Sequence, residues 1–383
     1  MNFELNDEQR DIVNAAREFA EGEFPSYMEE SDENETFPRA LWKKGCELGF
    51  VGVFIKEEYG GAGLGYFEDS LISEEFWRVD PGCGLAVLAA SFGSQLIQLF
   101  GSEEQKKKYL PPLIEGKAIM GSAITEPDAG SDVAGVATTA VLDGDFYAIN
   151  GNKMFITNGS IADYVNVLCV THPEAESRHR RHSVIVVETD REGFEANKLK
   201  GKLGIRASDT AEIALNNVRV PKENLVGIPG NGFKEFMEFF NVTRVHVCAQ
   251  AVGAAQGALE KAIFHVKSRK QFGSLLAKFQ VNQFKIAEMA TRIEAGRTMY
   301  WRAAWLLDNG IPDHRLVAMA KWFCGEIAVY VANEVLQIHG GYGYLREYGV
   351  EKFYRDAKIL EIYEGAKEIE KLVVARAILG KMN

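Results

Sequence analysis

The amino-acid sequence predicts an α+β fold built from three consecutive segments. Apolar residues recur at helical spacing through residues 1–121, which predicts an N-terminal helical domain. Over 122–231 they come instead in short runs rich in Val and Ile, bounded by Gly, Asp, Asn and Pro, which predicts a middle antiparallel β-barrel or sandwich. Over 232–383 long helical patterns return with short Gly and Pro breaks, which predicts an antiparallel C-terminal helical bundle.

In the N-terminal segment, the first helix is predicted to begin after Asn6, which can cap it together with Gln9 three residues later. Further helices are predicted in FPRALWKKGCELGF, in YFEDSLISEEFWRV and over Ala86–Phe100. The Gly and the Pro pair of GSEEQKKKYLPPLIEG are expected to end helical structure there.

In the middle segment, strands are predicted in FYAIN, DYVNVLCV, HSVIVVET and AEIALNNVRV, and THPEAESRHRRH is predicted to be a hairpin loop. The basic cluster of that loop, Arg178, Arg180 and Arg181, could contact a ligand phosphate, although a solvated loop is the favoured interpretation. In the last segment, helices are predicted in FKEFMEFFNVTRV, ALEKAIFHVKSRKQF, NQFKIAEMATRIEAGRTMYWRAAWLL, HRLVAMAKWFCGEIAVYVANEVLQIHG and AKEIEKLVVARAILG.

Composition excludes several classes of protein. A chain of 383 residues that is 46% hydrophobic and 25% charged can form a large core, unlike disordered, collagen-like or disulfide-scaffold chains. The net charge of −11 argues against nucleic-acid or membrane binding but allows a local basic pocket. Five scattered cysteines predict buried reduced thiols and no metal site. The acidic start and the lack of an apolar run of about 20 residues predict a soluble cytoplasmic protein that begins at or near Met1.

Two strings at the start of the middle segment contain candidate ligand-binding residues. In AITEPDAGSD, the hydroxyls of Thr125 and Ser131 suit hydrogen bonds to a flat heterocycle and an acyl-carrier chain; a Gly-rich turn explains the string equally well. In KMFITNG, Phe155 could stack on a cofactor while the hydroxyl of Thr157 bonds a ring nitrogen. A core Phe in a strand is just as ordinary.

Two strings in the helical bundle contain candidate phosphate ligands. Arg269 in SRKQFGSLLAKFQ suits a bidentate phosphate contact, although alone it would be taken for a surface arginine. In QIHGGYGY, Gly340 and Gly341 could bring backbone N–H groups against a pyrophosphate. No strand precedes them and GxGxxG is absent, so a nicotinamide-binding Rossmann fold has little support.

The fifth string, EIYEGAKEIE, contains a candidate general base. Glu364 lies between an aromatic residue, Tyr363, and Gly365, and burial there would raise its pKa. The alternative is a solvated acid near the N-terminus of a helix.

In this order and at these separations, the five strings resemble the FAD-dependent acyl-CoA dehydrogenase family over essentially the whole chain. The resemblance implies that a helical N-terminal domain, a middle β-domain and a C-terminal four-helix bundle enclose FAD. It also implies an acyl-CoA substrate, a homotetramer and electron transfer to electron-transferring flavoprotein.

The resemblance assigns roles to individual residues. Glu364 corresponds to the base that removes the α-proton of the thioester while the β-hydride moves to flavin N5. Some relatives place the base just before the Arg of the string corresponding to NVTRV, where this chain has Thr243. Four residues correspond to positions around the isoalloxazine and the pantetheine arm: Thr125, Ser131, Phe155 and Thr157. The positions that hold the ADP half of FAD across a subunit interface are Arg269, Gln271, Phe272, Gln280, Gln337, Gly340 and Gly341.

Three positions depart from the family pattern. Phe155 stands where many members have Trp, which keeps the stacking surface but removes a donor. Ala366 and Glu368, also assigned to the cofactor, stand where Thr and Gln are frequent, so some hydrogen bonds to the ribityl or adenosine groups are expected to be absent.

The predicted substrate contacts are Ser91, Gln95, Ser131, Thr243, Arg244, Tyr363 and Gly365. Arg244 corresponds to an arginine near the CoA adenine. Bulky Phe92, Leu96 and Tyr363 favour a compact acyl group, either short, branched or alicyclic. No arginine on the predicted substrate helix suits a second carboxylate, which disfavours a glutaryl-type substrate.

Two alternative functions remain at this stage. The first is an acyl-CoA oxidase or a flavin monooxygenase of the same fold. Oxidases usually have an additional C-terminal domain, whereas this sequence ends shortly after Glu364. Monooxygenases generally lack the base, so the presence of Glu364 argues against them. The second is a scaffold protein that has lost its site, which the intact set of motifs disfavours.

Overall fold

The structure, a computed structural model, describes residues 4–380, so the predicted start at Met1 lies outside it. The N-terminal part is helical, as predicted. Asn6 caps the first helix, accepting from Gln9 N at 2.8 Å, while Gln9 Oε1 accepts from Asn6 N at 3.1 Å. The helices of this part are α1 (Asp7–Glu23), α2 (Met28–Asn34), α3 (Arg39–Glu47), α4 (Tyr66–Val79), α5 (Pro81–Leu88), α6 (Ser94–Phe100) and α7 (Glu103–Ile114).

The prediction of one helix over Ala86–Phe100 was wrong. Helix α5 ends at Leu88 and α6 begins at Ser94, and between them Gly93 adopts φ +112°. A side chain there would also lie 2.5 Å from atoms of Ser122 and Asn166, because the break rests against the middle domain. Only glycine satisfies both constraints.

The Pro pair also does not end helical structure. Pro111 and Pro112 lie inside the last turn of α7, which continues to Ile114. The carbonyl of Pro111 accepts a hydrogen bond from Glu115 N at 3.1 Å, so this turn is closed although two N–H donors are missing.

The middle domain is a mainly antiparallel sheet. Its strands are β1 (Met120–Ala123), β2 (Thr139–Asp143), β3 (Phe146–Thr157), β4 (Tyr164–Val170), β5 (His182–Glu188), β6 (Phe194–Lys198), β7 (Thr210–Pro221) and β8 (Leu225–Val226). The strand order is β6-β7-β3-β2-β4-β5-β8, and β1 pairs with β4 in parallel. A single residue pair joins β2 to β4, also in parallel. The predicted hairpin loop connects the antiparallel pair β4 and β5.

The C-terminal part is a bundle around a shared apolar core. Two runs predicted as separate helices form one helix of 37 residues, α8 (Gly232–Ser268). The short strands β9 (Lys270–Gln271) and β10 (Ser274–Leu275) pair with each other after it. The remaining helices are α9 (Gln280–Asp308), α10 (His314–His339), α11 (Val350–Ala357) and α12 (Lys367–Leu379).

Helix α10 belongs to the core of this bundle. The segment His314–Tyr344 is long and apolar enough to cross a membrane, but 61% of its apolar window is buried inside the protein, as in the core helix of a globular bundle. All five cysteines are buried and unpaired, as the sequence predicted.

Candidate active site

The strings AITEPDAGSD and KMFITNG meet at one end of the sheet. Met154 N donates to Thr125 O at 2.8 Å. Beneath this contact lies fully buried Lys153, whose Nζ donates to Ile124 O at 3.0 Å, to Leu168 O at 2.9 Å and to Glu126 Oε1 at 2.8 Å. The loop that holds Thr125 is therefore fixed to the strand that holds Phe155 and Thr157.

Glu126 completes this buried ion pair. Its carboxylate accepts from Ala137 N at 2.7 Å and from Thr138 N at 2.9 Å. Burial acts to raise the pKa of Glu126, but the charge of Lys153 and these donors outweigh it, and the pKa lies below its usual value. A paired, hydrogen-bonded carboxylate can occupy this interior position.

Phe155 is not a core residue of its strand. The pairing of β3 with β7 shifts register between Lys153 and Ile156, and within this bulge Phe155 adopts φ +60° with 68% of its surface exposed. A bulge re-aims a side chain out of the alternating pattern. The ring is thus presented as an open apolar face, with Thr157 partly exposed at the end of the same strand.

Ser131 lies exposed in the adjoining loop, and the hairpin loop reaches it. Arg178 Nη2 pairs with Asp132 Oδ2 at 2.8 Å, while Arg180 donates to Asn231 Oδ1 at 2.9 Å. These partners explain the basic cluster without a ligand phosphate.

The strings SRKQFG and QIHGGYGY meet at the end of the bundle. The guanidinium of Arg269 lies 5.0 Å from the centre of the Tyr342 ring. A side chain added at Gly340 or Gly341 would meet no atom within 4 Å, so the backbone there is open to a ligand. Phe272 is 95% exposed with φ +50°. The other predicted residues of this group are exposed: Gln271, Gln280 and Gln337.

These two groups fit the two halves of FAD. Hydroxyls beside an exposed aromatic face suit a flat heterocycle, and an arginine beside bare glycine backbone suits a pyrophosphate.

Left-handed backbone is costly for non-glycine residues and clusters at functional sites. Among residues 4–380 it occurs outside glycine at seven positions, three of them predicted site residues: Phe155, Phe272 and Glu364.

The candidate base lies where α8 meets the loop before α12. Thr243 Oγ1 donates to Glu364 Oε2 at 2.6 Å, and Arg244 Nε donates to Glu364 O at 2.8 Å. Burial raises the pKa of the Glu364 carboxyl above its usual value, although the Thr243 hydroxyl and the charges of Arg244 and Lys321 act to lower it. The carboxylate is therefore a stronger base than a solvated one.

Arg244 was predicted near the CoA adenine, and the structure gives it a contact that the motif did not predict. Besides the Glu364 carbonyl, its Nη2 lies 3.1 Å from Glu370 Oε1. Sequence reasoning also missed Lys321, which donates to Gly365 O and is fully buried. A lone lysine within the apolar run of α10 was the available signal.

The predicted substrate contacts on the N-terminal side are engaged within the protein. Gln95 Oε1 accepts from Gly93 N at 3.2 Å, and Ser91 Oγ lies 3.4 Å from Leu88 O, so both stabilise the break between α5 and α6. The Phe92 ring packs 5.3 Å from that of Phe239.

The remaining predicted residues lie around the base. Tyr363 donates to Gln250 Oε1 on α8. Ala366 is the residue preceding α12, and Glu368 is exposed in the first turn of that helix. A cavity of about 500 Å³ elsewhere is lined by residues such as Leu5, Trp301 and Asp308 and includes none of the groups around Glu364.

Comparison with known proteins identifies the family. Models of the N-terminal, middle and C-terminal domains of acyl-CoA dehydrogenase match residues 6–117, 121–218 and 230–379. The chain is 43% identical over 380 residues to a probable acyl-CoA dehydrogenase of Bacillus subtilis (strain 168), covering 99% of this chain and 100% of that protein.

Two solved structures have the same fold. A chain in the structure reported for the electron transferring flavoprotein of Acidaminococcus fermentans is 42% identical, with a TM-score of 0.96 and 100% of both chains covered. Butyryl-CoA dehydrogenase from Megasphaera elsdenii is 37% identical, with a TM-score of 0.95 and coverage of 99% of this chain and 100% of that one. The three matched domains, the three-part fold and the extent of these similarities show that this chain is a flavoprotein oxidoreductase of the acyl-CoA dehydrogenase family.

Proposed function

We propose that the protein is an FAD-dependent acyl-CoA dehydrogenase that uses Glu364 to remove the α-proton of an acyl thioester. The observation that supports this most directly is the state of the Glu364 carboxylate, whose pKa is raised by burial and which is held by one hydroxyl, that of Thr243. Raising the pKa of the carboxyl brings that pKa closer to neutral pH, and general bases are most effective when their pKa lies near the working pH.

The thioester must also be made more acidic. No described residue accepts a hydrogen bond from the backbone N–H of Glu364, so this donor is available for the thioester oxygen. One such donor to a developing oxyanion is worth about 3 to 4 kcal/mol. When bound, FAD supplies the chemistry that accepts the β-hydride.

The acyl group is proposed to be compact, either short, branched or alicyclic. Phe92 is packed against Phe239 and the hydroxyl of Tyr363 is bonded to Gln250, so neither bulky side chain is free to swing aside. Leu96 is fully buried in an apolar cluster. The similarity to butyryl-CoA dehydrogenase agrees with a short chain.

Assembly into a homotetramer is part of the proposal. Apolar side chains near the predicted ADP residues are exposed in the single chain, including Phe272 (95%), Tyr344 (83%) and Phe284 (67%). Covering them with a second copy would place the ADP half of FAD at a subunit interface. Electron-transferring flavoprotein is proposed as the acceptor and the cytoplasm as the location.

The experiment that tests the reaction uses Glu364→Gln. The variant is expected to purify with yellow FAD yet to lose acyl-CoA oxidation by several orders of magnitude, because the amide cannot accept the proton. Glu326→Gln, at a solvent-accessible carboxylate paired with Lys371, is the matched control and should keep full activity.

Full activity of Glu364→Gln would refute the assignment of Glu364 as the base.

The acyl group is identified by assaying the wild-type enzyme with straight, branched, cyclic and dicarboxylic acyl-CoA thioesters and an artificial acceptor. Rapid oxygen consumption with acyl-CoA in place of reduction of that acceptor would indicate an oxidase instead.

A further inference from the structure

Three charged side chains surround the backbone of the candidate base loop. Arg244 Nε donates to Glu364 O at 2.8 Å, and Lys321 Nζ donates to the next carbonyl, Gly365 O. Glu370, in the first turn of α12, is fully buried; its Oε1 lies 3.1 Å from Arg244 Nη2, and its charge interacts with that of Lys321. Two cations therefore hold two successive carbonyls, and one buried carboxylate interacts with both cations.

The loop needs this support because its backbone is unusual. Glu364 has φ +55° and Gly365 has φ +105°. A Cβ added at Gly365 would lie 2.2 Å from Glu370 Oε1 and 3.0 Å from Arg244 Nη2. The carboxylate and the guanidinium thus occupy the space that any larger residue at 365 would need.

Glu370 acts in this cluster through its charge, because it accepts no hydrogen bond from a described residue. Neither of its oxygens accepts a hydrogen bond from a described residue, although Arg244 Nη2 lies 3.1 Å from Oε1. A buried carboxylate without hydrogen bonds is costly unless nearby cations compensate it. Arg244 and Lys321 are those cations, and each in turn requires a negative charge in this interior.

We propose that Glu370 is a positioning residue for the catalytic base: its buried carboxylate balances Arg244 and Lys321, which allows both cations to hold the 364–365 backbone without over-stabilising the Glu364 carboxylate. The inference rests on the proposed function, because it takes Glu364 as the base.

The direction of the effect follows from the charges around the two carboxylates. Each carboxylate disfavours ionisation of the other, and the charge of Glu364 indeed acts to raise the pKa of Glu370. Removing the charge of Glu370 leaves Arg244 and Lys321 to stabilise ionised Glu364 more strongly. The other titratable groups that interact with Glu364 or Glu370 are His246 and Cys248 on α8 and Tyr363 in the loop. Asp69 on α4 and Asp308 on α9 act on His246.

The test is the pH dependence of the holoenzyme with Glu370→Gln. The acidic limb of kcat/KM for acyl-CoA, and that of α-proton exchange into D2O without an electron acceptor, are expected to move to lower pH by about one unit. Glu370→Asp keeps the charge and should keep the limb near its wild-type position. Glu326→Gln removes a nearby accessible carboxylate and should also leave the limb unchanged.

Lys321→Met provides the opposite test and does not depend on the folding of Glu370→Gln. It removes one cation, so the limb should move to higher pH. If the acidic limb of the pH profile stays at its wild-type position in Glu370→Gln, the proposal is overturned, because a purely structural role would change stability alone. If Glu370→Gln does not fold, an unmoved limb in Lys321→Met overturns it in the same way. A limb that disappears in His246→Gln would also overturn it, since the titrating group would then be His246.

The same measurements distinguish a failure of the proposed function from a failure of the role assigned to Glu370. If Glu364→Gln exchanges the α-proton at the wild-type rate, Glu364 is not the base. If Glu364→Gln is inactive and the limb of Glu370→Gln stays in place, only the role of Glu370 is refuted.

Discussion

At the residue scale, Phe155, Phe272 and Glu364 share a left-handed backbone that these side chains rarely adopt. Such a conformation costs about 1 to 3 kcal/mol per residue and persists only where the surroundings impose it. At Glu364 the surroundings are Thr243, Arg244 and Lys321. The contacts with Thr243 and Arg244 therefore hold Glu364 in this unfavourable conformation.

Replacing Thr243 with Val should raise the pKa of Glu364 further. The hydroxyl donates to the carboxylate and stabilises its ionised form, and a hydrogen bond to a charged group is worth about 1.5 to 3 kcal/mol. Because the base acts when ionised, activity is lost as pH falls through its pKa, so the acidic limb of kcat/KM should move to higher pH by about one to two units. Thr243→Ser keeps the hydroxyl and should keep the limb; an unmoved limb in Thr243→Val would contradict the prediction.

The candidate base could be proposed from the sequence, but the contacts that support it in the structure could not. Glu364 and its motif are local features of the sequence. The contact of Arg244 with the Glu364 carbonyl joins residues 120 positions apart, and nothing in either string specifies it. Glu370 is one of two acidic residues that follow Glu364 in the sequence, and only burial distinguishes it from the exposed Glu368.

At the element scale, α8 and α4 cross in close contact. A Cβ at Gly253 would lie 2.2 Å from Glu74 O, and one at Gly257 would lie 1.9 Å from Arg78 O. Both glycines are in the interior of α8, where glycine costs about 1 kcal/mol in helix stability. The close approach of the two backbones explains why a poor helix former occupies these positions inside a continuous helix.

Gly257→Ala is therefore expected to destabilise the protein although alanine is the better helix former. Overpacking costs about 1 to 3 kcal/mol, which should lower the thermal midpoint measured by circular dichroism or calorimetry. Gly22→Ala in α1 is the matched control: no atom lies within 4 Å of the added Cβ, so its midpoint should stay or rise. Equal midpoints for Gly257→Ala and the wild type would rule out the close crossing.

At the scale of the whole molecule, one buried cluster joins all three domains. Lys352 on α11 pairs with Asp80 of the N-terminal domain at 2.8 Å and with Asp356 at 2.7 Å. Asp356 also accepts from Ile205 N of the middle domain at 2.6 Å. Both carboxylates are almost inaccessible to solvent, and the ammonium group of Lys352 compensates much of the cost of burying their charges.

Lys352→Met should loosen this junction. Removing one partner of a buried ion pair costs about 3 to 5 kcal/mol, and we expect a lower thermal midpoint and faster proteolysis between the domains. Lys222→Met breaks an exposed pair with Asp145 and should cost at most about 1 kcal/mol. Comparable losses in the two variants would show that the junction does not depend on Lys352.

The sequence by itself determined the order of helical and strand segments and the five motifs, because helical and strand periodicities and motif spacings are local properties of the chain. Only the tertiary structure decided that α8 is continuous, that the helix over Ala86–Phe100 is broken, and that Phe155 faces outward. It alone also decided that Lys321 and Glu370 surround the base. These features depend on how closely segments distant in the sequence approach one another, and on which charges become buried together when they do.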